Sequence, residues 1–340
     1  MTAGSRALPS GATVLVLGAT GFIGRALIKR LLQDGIRLRA LVRDLSGRAE
    51  SLARQGVELV RGDIADAASL AAALDGIQHV CHLARSSGPV WGDYLRLDVE
   101  PTRRLAELCC ARGIALHYTS SIAIYDGGRE GELITESTPP SHASMRLNAY
   151  ARAKVATERL LADMHRERGL NAVVFRPGIV IGSEGSSRHP GVGAWPDAST
   201  CRPWGGGDHR LPFVLVDDCA DAMVRALQSS GIAGESFNLV GDASLSGNGY
   251  LDALERSAGI EIKRWPLPAW RLFAQSAAKW GVKLLAGRPE NPVPSYRYCD
   301  GLSCRASYVA DRAKHRLGWR PVADPAVMIE RGIAGGLATT

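Results

Sequence analysis

The chain has 340 residues, 46% of them apolar and 22% charged, the balance of a globular protein long enough for one large domain or two. Its formal net charge of +7 comes from scattered Arg residues; with no K/R tract or basic stripe interleaved with aromatics, anionic small molecules are favoured over nucleic acid as partners. No apolar stretch reaches the length of a membrane span, and residues 1–11 lack the apolar core of a signal peptide, so a cytoplasmic protein with a loose N-terminal tail and no stable membrane span is expected.

The first element is a short apolar run, Thr13–Leu17, that ends in Gly18. Gly21 and Gly24 follow at intervals of three, and Phe22 opens a helical pattern with apolar pairs at Phe22/Ile23, Ala26/Leu27 and Leu31/Leu32. A buried strand, a tight glycine turn and a helix N-terminus present bare amides and a positive dipole end, which suits a pyrophosphate. Further strands are predicted at Leu38–Val42, Val57–Val60, His79–Leu83, Ala115–Tyr118 and Ala172–Phe175. Helices are predicted at Phe22–Gln33, Arg48–Arg54, Ala65–Leu74, Tyr94–Ala111 and Ala143–Arg168. Alternation at this spacing implies an α/β Rossmann-type fold, a doubly wound parallel sheet with ligands at the carboxyl ends of its strands.

Several residues fall at those ends. After the second strand Arg43 comes first and Asp44 second; a guanidinium there accommodates a 2′-phosphate, whereas a carboxylate would take a ribose hydroxyl. Asp63 follows the third strand and is placed to reach an adenine edge, and His82, flanked by apolar residues, reads as structural or as lining the cofactor. The fifth strand runs into Ser120 and Ser121, and Tyr150 and Lys154 lie four apart on one helix face. A phenol ionises near ~10, and a neighbouring ammonium favours the phenolate. Such a pair can move a proton for an alcohol or ketone. Seven cysteines (81, 109, 110, 201, 219, 299 and 304) show no CxxC and no metal spacing, so reduced, mostly buried thiols are expected.

These segments together resemble an extended short-chain dehydrogenase/reductase of the NAD-dependent epimerase/dehydratase superfamily. The resemblance rests on GxxGxxG (Gly18, Gly21, Gly24), His82-Leu83-Ala84, Ser120-Ser121 with Tyr125, YxxxK and Arg176-Pro177-Gly178 through Gly182. Phe213–Asp218, Phe237–Gly241 and Leu317–Pro321 complete it. It implies Ser121 as the hydroxyl that binds the reacting oxygen, Tyr150 as general acid/base, and Lys154 as ligand of the nicotinamide ribose and modulator of Tyr150. The cofactor would lie on Gly18, Thr20, Gly21, Phe22, Ile23, Gly24, Arg43, Asp63, Ile64, Leu83, Ala84, Tyr150, Lys154, Pro177, Gly178 and Val180. Two positions depart from the family pattern: Asp98 stands where Asn is usual, and Asp126 where Gly usually follows the tyrosine.

The resemblance implies hydride transfer between nicotinamide and a carbonyl or secondary alcohol of a small molecule, with a nucleotide-sugar epimerase or dehydratase that retains NAD as the alternative. Arg43 points to NADP(H), Asp44 keeps NAD(H) open, and a homodimer is the assembly to test for. The Rossmann domain is expected over 1–180 and 213–242, with 181–212 and 243–340 forming a smaller substrate-binding region. There Gly182–Phe213 is expected to cover the substrate, with Trp195, Trp204, His209 and Arg210 as contacts. Leu211 replaces the Arg that nucleotide-sugar epimerases place two residues before Phe213. A helix at Gly249–Ala258, a strand at Glu261–Arg264 and an amphipathic helix at Ala269–Leu285 follow. Core packing is the first expectation for that last helix; a wall for an apolar substrate or a weak membrane contact is the second.

Overall fold

The computed structural model describes residues 8, 11–86, 88, 90–125, 130–140, 148–287, 293–303 and 305–334. Its centre is a seven-stranded parallel sheet of β1 (Thr13–Leu17), β2 (Arg37–Val42), β3 (Glu58–Arg61), β4 (His79–His82), β5 (Ala115–Thr119), β6 (Ala172–Pro177) and β7 (Ser236–Leu239). The strand order is β7-β6-β5-β4-β1-β2-β3. The chain reverses direction across the sheet between β1 and β4, where Leu17 pairs with His82. A ligand-binding crevice is expected to open at that switch point. The central strands are apolar on both faces because helices cover both.

One face carries α1 (Phe22–Gln33) and α6 (Val216–Leu227), with Leu27, Leu31, Cys219 and Met223 in its core. The other carries α3 (Ala67–Ala73), α4 (Glu100–Arg112) and α5 (Ala149–Arg168), closed by Leu70, Leu105, Leu161 and Met164. α2 (Arg48–Arg54) lies between β2 and β3. Several predicted boundaries move for local reasons. α3 begins later than Ala65 because the Asp66 carboxylate caps it, accepting the Ser69 N–H at 2.8 Å. α5 begins at Ala149 because Asn148 caps it, accepting the Ala151 N–H at 2.7 Å; residues 143–147 of the predicted helix lie outside the described residues. The helix expected from Tyr94 starts at Trp91 and contains a π-helical turn at Leu95–Val99 before α4. That wider turn sits beside the cleft, a frequent place for such turns.

The remaining chain builds a smaller lobe. Gly193–Asp197 pairs antiparallel with Thr200–Pro203, which pairs in parallel with Lys263–Arg264, only the last half of the predicted Glu261–Arg264 strand. Ile179–Ile181 pairs with Phe213–Leu215. α7 (Gly247–Ala258) packs Tyr250, Leu251 and Leu254 into the lobe's own core. The stretch 310–319 departs from the expected division of the chain, because Ala310, Ala313, Leu317 and Trp319 pack into the core beneath α1 and α6. Trp319 Nε1 donates to the Asp218 carbonyl at 2.9 Å. α8 (Ala269–Leu285) overturns the first expectation made for it, since it buries no residue.

Candidate active site

A cleft of about 1330 Å³ runs along the carboxyl ends of the central strands. All the residues expected at the cofactor and at the reacting centre line it, from Gly18 to Val180, with Ser121, Tyr150 and Lys154 together at one end.

The glycine turn is built by close approach. Gly18 has φ +84°, and a Cβ there would stand 2.6 Å from the Ala84 amide nitrogen. At Gly24 a Cβ would stand 2.2 Å from the Gly18 carbonyl oxygen. The turn therefore packs directly on the end of β4 and leaves α1 open toward the cleft. At the end of β2 the two competing residues both line the cleft but differ in their engagement. The Asp44 carboxylate accepts both the Ser46 N–H and the Ser46 hydroxyl at 2.9 Å, which holds it below the usual carboxylate range. Arg43 is exposed at the cleft wall, and Ser46 and Arg48 line the cleft beside it. Asp63 accepts the Ala65 N–H at 2.9 Å through one carboxylate oxygen and lines the cleft.

Lys154, on α5, is buried. Its Nζ donates to the Tyr118 hydroxyl and to the Thr119 carbonyl, both at 3.0 Å. It lies 4.7 Å from the centre of the Tyr118 ring and 5.8 Å from that of Tyr150. Burial disfavours its charge, but the two phenols and Asp98 outweigh burial and hold its pKa above the ordinary value. Tyr118, a residue the sequence reading did not assign, is fully buried, and burial pushes its phenol up to about 12. It is therefore a neutral platform for the ammonium. Tyr150 is half-buried and meets Tyr94 edge to face. Ser121 Oγ accepts the Ala123 N–H at 3.2 Å, while the neighbouring Ser120 is buried.

Four polar atoms on the cleft wall are buried without a partner among the described residues: His82 Nδ1, Ser86 Oγ, Asp98 Oδ2 and Ser120 Oγ. Buried polar groups ordinarily have partners, so a polar ligand fits this wall. The glycine turn supplies an anion cradle at the other end, and the two together fit a dinucleotide. His82 Nε2 donates to Thr102 Oγ1 at 2.9 Å, because that hydroxyl already donates to the Asp98 carbonyl at 2.6 Å. Burial and Lys154 bring the imidazole down to about 3, so His82 is neutral. Asp98 sits in the π-helical turn, 3% exposed. Burial raises its pKa, against the lowering influence of Lys154, the Ser86 N–H and Arg85. The other unusual position, Asp126, lies outside the described residues.

Arg176 does not enter the cleft. It is buried behind it, holding both Glu158 oxygens through Nε and Nη2 (2.7–3.2 Å) and donating to the Tyr125 hydroxyl at 2.6 Å. Tyr125 in turn donates to Asn238 Oδ1 at 2.7 Å. This network ties β6, β7, α5 and the turn after Ser121 into one block.

On the substrate side, Trp204 lines the cleft as expected, together with His189, Pro190, Leu302, Tyr298 and Tyr308. Trp195, His209 and Arg210 do not line it. Trp195 packs in the lobe core with Nε1 on the His189 carbonyl at 3.2 Å, and Arg210 donates to the Asp242 carbonyl at 2.7 Å. Tyr298 was missed as a lining residue; its hydroxyl accepts from Asn148 Nδ2 at 2.7 Å, next to Tyr150.

The family model that matches residues 14–240 is that of the NAD dependent epimerase/dehydratase family. The chain belongs to this family. A 2-alkyl-3-oxoalkanoate reductase of Shewanella oneidensis is 27% identical over 94% of the chain and 84% of that protein. A protein of the same name from Stenotrophomonas maltophilia is 25% identical over 94% of the chain and 97% of its own length. Among solved structures, gox2253 superposes with a TM-score of 0.76 at 26% identity, covering 96% of this chain and 97% of that one. The Thermus thermophilus UDP-glucose 4-epimerase complex with NAD gives 0.70 at 22%, covering 96% of this chain and all of that one, a likeness of fold. The chain is thus an enzyme of the extended short-chain dehydrogenase/reductase class with a Rossmann-type fold. No helix among the described residues is long and apolar enough to cross a membrane.

Proposed function

We propose that this chain is an NADP(H)-dependent reductase or dehydrogenase that interconverts a carbonyl and a secondary alcohol on a small molecule. The observation that supports this reading is that Ser121, Tyr150 and Lys154 line the same cleft as the glycine turn, with Lys154 Nζ 5.8 Å from the Tyr150 ring centre. The nicotinamide, when bound, supplies or accepts the hydride. Tyr150 gives or takes the proton at the substrate oxygen, and Ser121 holds that oxygen. Lys154 binds the nicotinamide ribose and stabilises negative charge on the phenol oxygen as the proton leaves. Gly18, Thr20, Gly21, Phe22, Ile23 and Gly24 would hold the pyrophosphate side, and Asp63, Ile64, Leu83 and Ala84 the adenosine half. Pro177, Gly178 and Val180 would hold the nicotinamide. Arg43 selects the 2′-phosphate because Asp44 is engaged on Ser46.

Reduction is favoured over epimerisation by two observations. The Shewanella and Stenotrophomonas relatives named above are reductases. Leu211 also offers no charge to a nucleotide diphosphate, and Arg210 is held on Asp242. A carbonyl flanked by alkyl chains, as in the substrate those relatives' names describe, suits a cleft lined by Pro190, Trp204, Leu302 and Tyr308. In this reading residues 1–180 and 213–242, joined by 310–319, form the cofactor domain, and the rest forms the substrate-binding region. The protein acts in the cytoplasm, with homodimerisation to be measured. The deciding experiment is mass spectrometry of the purified protein, followed by NADPH oxidation with 3-oxo acids and their esters. Release of cofactor-free protein with NADPH-dependent turnover supports the reductase; tightly retained NAD with no net oxidation would establish an epimerase instead.

A further inference from the structure

The described residues leave twelve large apolar side chains exposed, and seven of them fall between 265 and 296. They centre on α8, whose two faces are distinct. The inner face packs on the short helix Tyr296–Gly301: Phe273 meets Tyr296 edge to face at 6.0 Å, and Ser276 and Cys299 line one small pocket between them. The outer face carries Trp270, Ala274, Ala278, Val282 and Leu285 along one stripe, with Trp270 58%, Val282 67% and Leu285 90% exposed. Trp265, 67% exposed, precedes the helix. From Pro266 to Gly287 the charged residues are Arg271, Lys279 and Lys283, with no Asp or Glu. The Arg271 guanidinium lies 5.2 Å from the centre of the Trp270 ring.

We infer that α8 lies on an anionic lipid surface, with its outer stripe in the headgroup region. An apolar stripe with tryptophan near one end, cations beside it and no carboxylate fits an interfacial helix. At 17 residues and with three cations the helix lies on a bilayer and does not cross one. A second copy is disfavoured as occupant, because a two-fold interface would set a helix with cations and no acidic residue of its own against its own image. A wall for substrate is disfavoured for the outer stripe too, since Trp270, Ala274, Ala278, Val282 and Leu285 line neither the cofactor cleft nor the small pocket where Ser276 and Trp280 meet Asn148 and Tyr298. Phosphate headgroups supply the complementary charge, and the acyl boundary takes Trp270, Val282 and Leu285.

Vesicle flotation of the full-length protein tests this. Co-flotation with phosphatidylcholine vesicles containing phosphatidylserine is expected, with little on phosphatidylcholine alone and a decline as salt rises. Lys279→Glu should weaken partitioning by roughly fivefold or more, as expected for a juxtamembrane cation. Trp270→Ser with Leu285→Ser should weaken it by about tenfold or more. Both variants should retain the cofactor affinity of the parent, which shows that they are folded. Flotation that is absent for the parent, or unchanged in both variants, overturns the assignment. So does a parent that sediments as a dimer and becomes monomeric in the double variant, which would give this face to a second copy.

Discussion

The Asp44 carboxylate lies on Ser46, accepting both its backbone N–H and its hydroxyl at 2.9 Å. The acidic residue that would hold a ribose diol is thereby bound into its own turn, while it and Arg43 both line the cleft. Arg43→Ala should therefore cost roughly ten- to a hundredfold in NADPH affinity, the value of one charge-assisted hydrogen bond at about 1.5–3 kcal/mol. NADH affinity should barely move. Titration of both cofactors by fluorescence checks this, and equal losses for the two would remove the 2′-phosphate from Arg43.

Tyr150→Phe removes one hydroxyl from a half-buried ring and leaves its edge contact with Tyr94 in place. Turnover should fall by about 10²–10⁴, the usual contribution of a positioned acid/base, while cofactor affinity is retained. More than a tenth of parental kcat would show that the proton travels elsewhere.

Lys154→Met takes a cation from beneath Tyr118 and Tyr150. Cofactor binding should weaken, and the pH optimum should move upward because the phenolate loses its nearest positive charge. Affinity and pH profile both matching the parent would reduce Lys154 to a packing residue.

Asp98 moves the same profile in the opposite direction. Its carboxylate faces Lys154, Tyr118, Arg85 and the Ser86 N–H, with His82 neutral nearby. Asp98→Asn leaves the ammonium's field on Tyr150 undivided, so the limb governed by the phenol should shift to lower pH. A second effect concerns stability. The folded-state pKa of Asp98 is raised, so the native state binds that proton more tightly than the unfolded chain. Stability is then lost as pH rises from the unfolded value through the folded one. Asn removes that loss, and its thermal midpoint should exceed the parent's at neutral pH but not at pH 4. An unshifted profile would place Asp98 outside the reacting centre.

Glu158→Gln leaves the Arg176 guanidinium buried without its counter-charge. Denaturant unfolding should show a loss of about 3–5 kcal/mol, whereas replacing both partners by Met and Leu should recover much of it. A loss below 1 kcal/mol for the single change would mean that water reaches the pair.

The sheet was legible because parallel strands covered on both faces are continuous apolar runs, and Thr13–Leu17 ends and α1 begins where the glycines place them. The glycine turn and the Tyr150/Lys154 pair could be read from local spacing, within one turn or one helix, whereas Ser121 entered through the family resemblance. What escaped depends on partners distant in sequence. Tyr118 lies 36 positions from the ammonium it supports, and Asn148 lies 150 from Tyr298. The strands at Gly193–Asp197 and Lys263–Arg264 are short, and pairing rather than apolar pattern defines them. The turn that engages Asp44 did have a local signal, an Asp two residues before a Ser, the spacing of an Asx turn.

One consequence follows from the two bonds that Lys154 makes to Tyr118 and Thr119. An ammonium has three hydrogens in tetrahedral array, so fixing two directions fixes the third. The remaining hydrogen is aimed during folding and not when ligand arrives. An incoming hydroxyl meets a donor with almost no torsional freedom left to lose, so the entropic penalty that usually accompanies a long flexible side chain falls on the folding of the apoprotein.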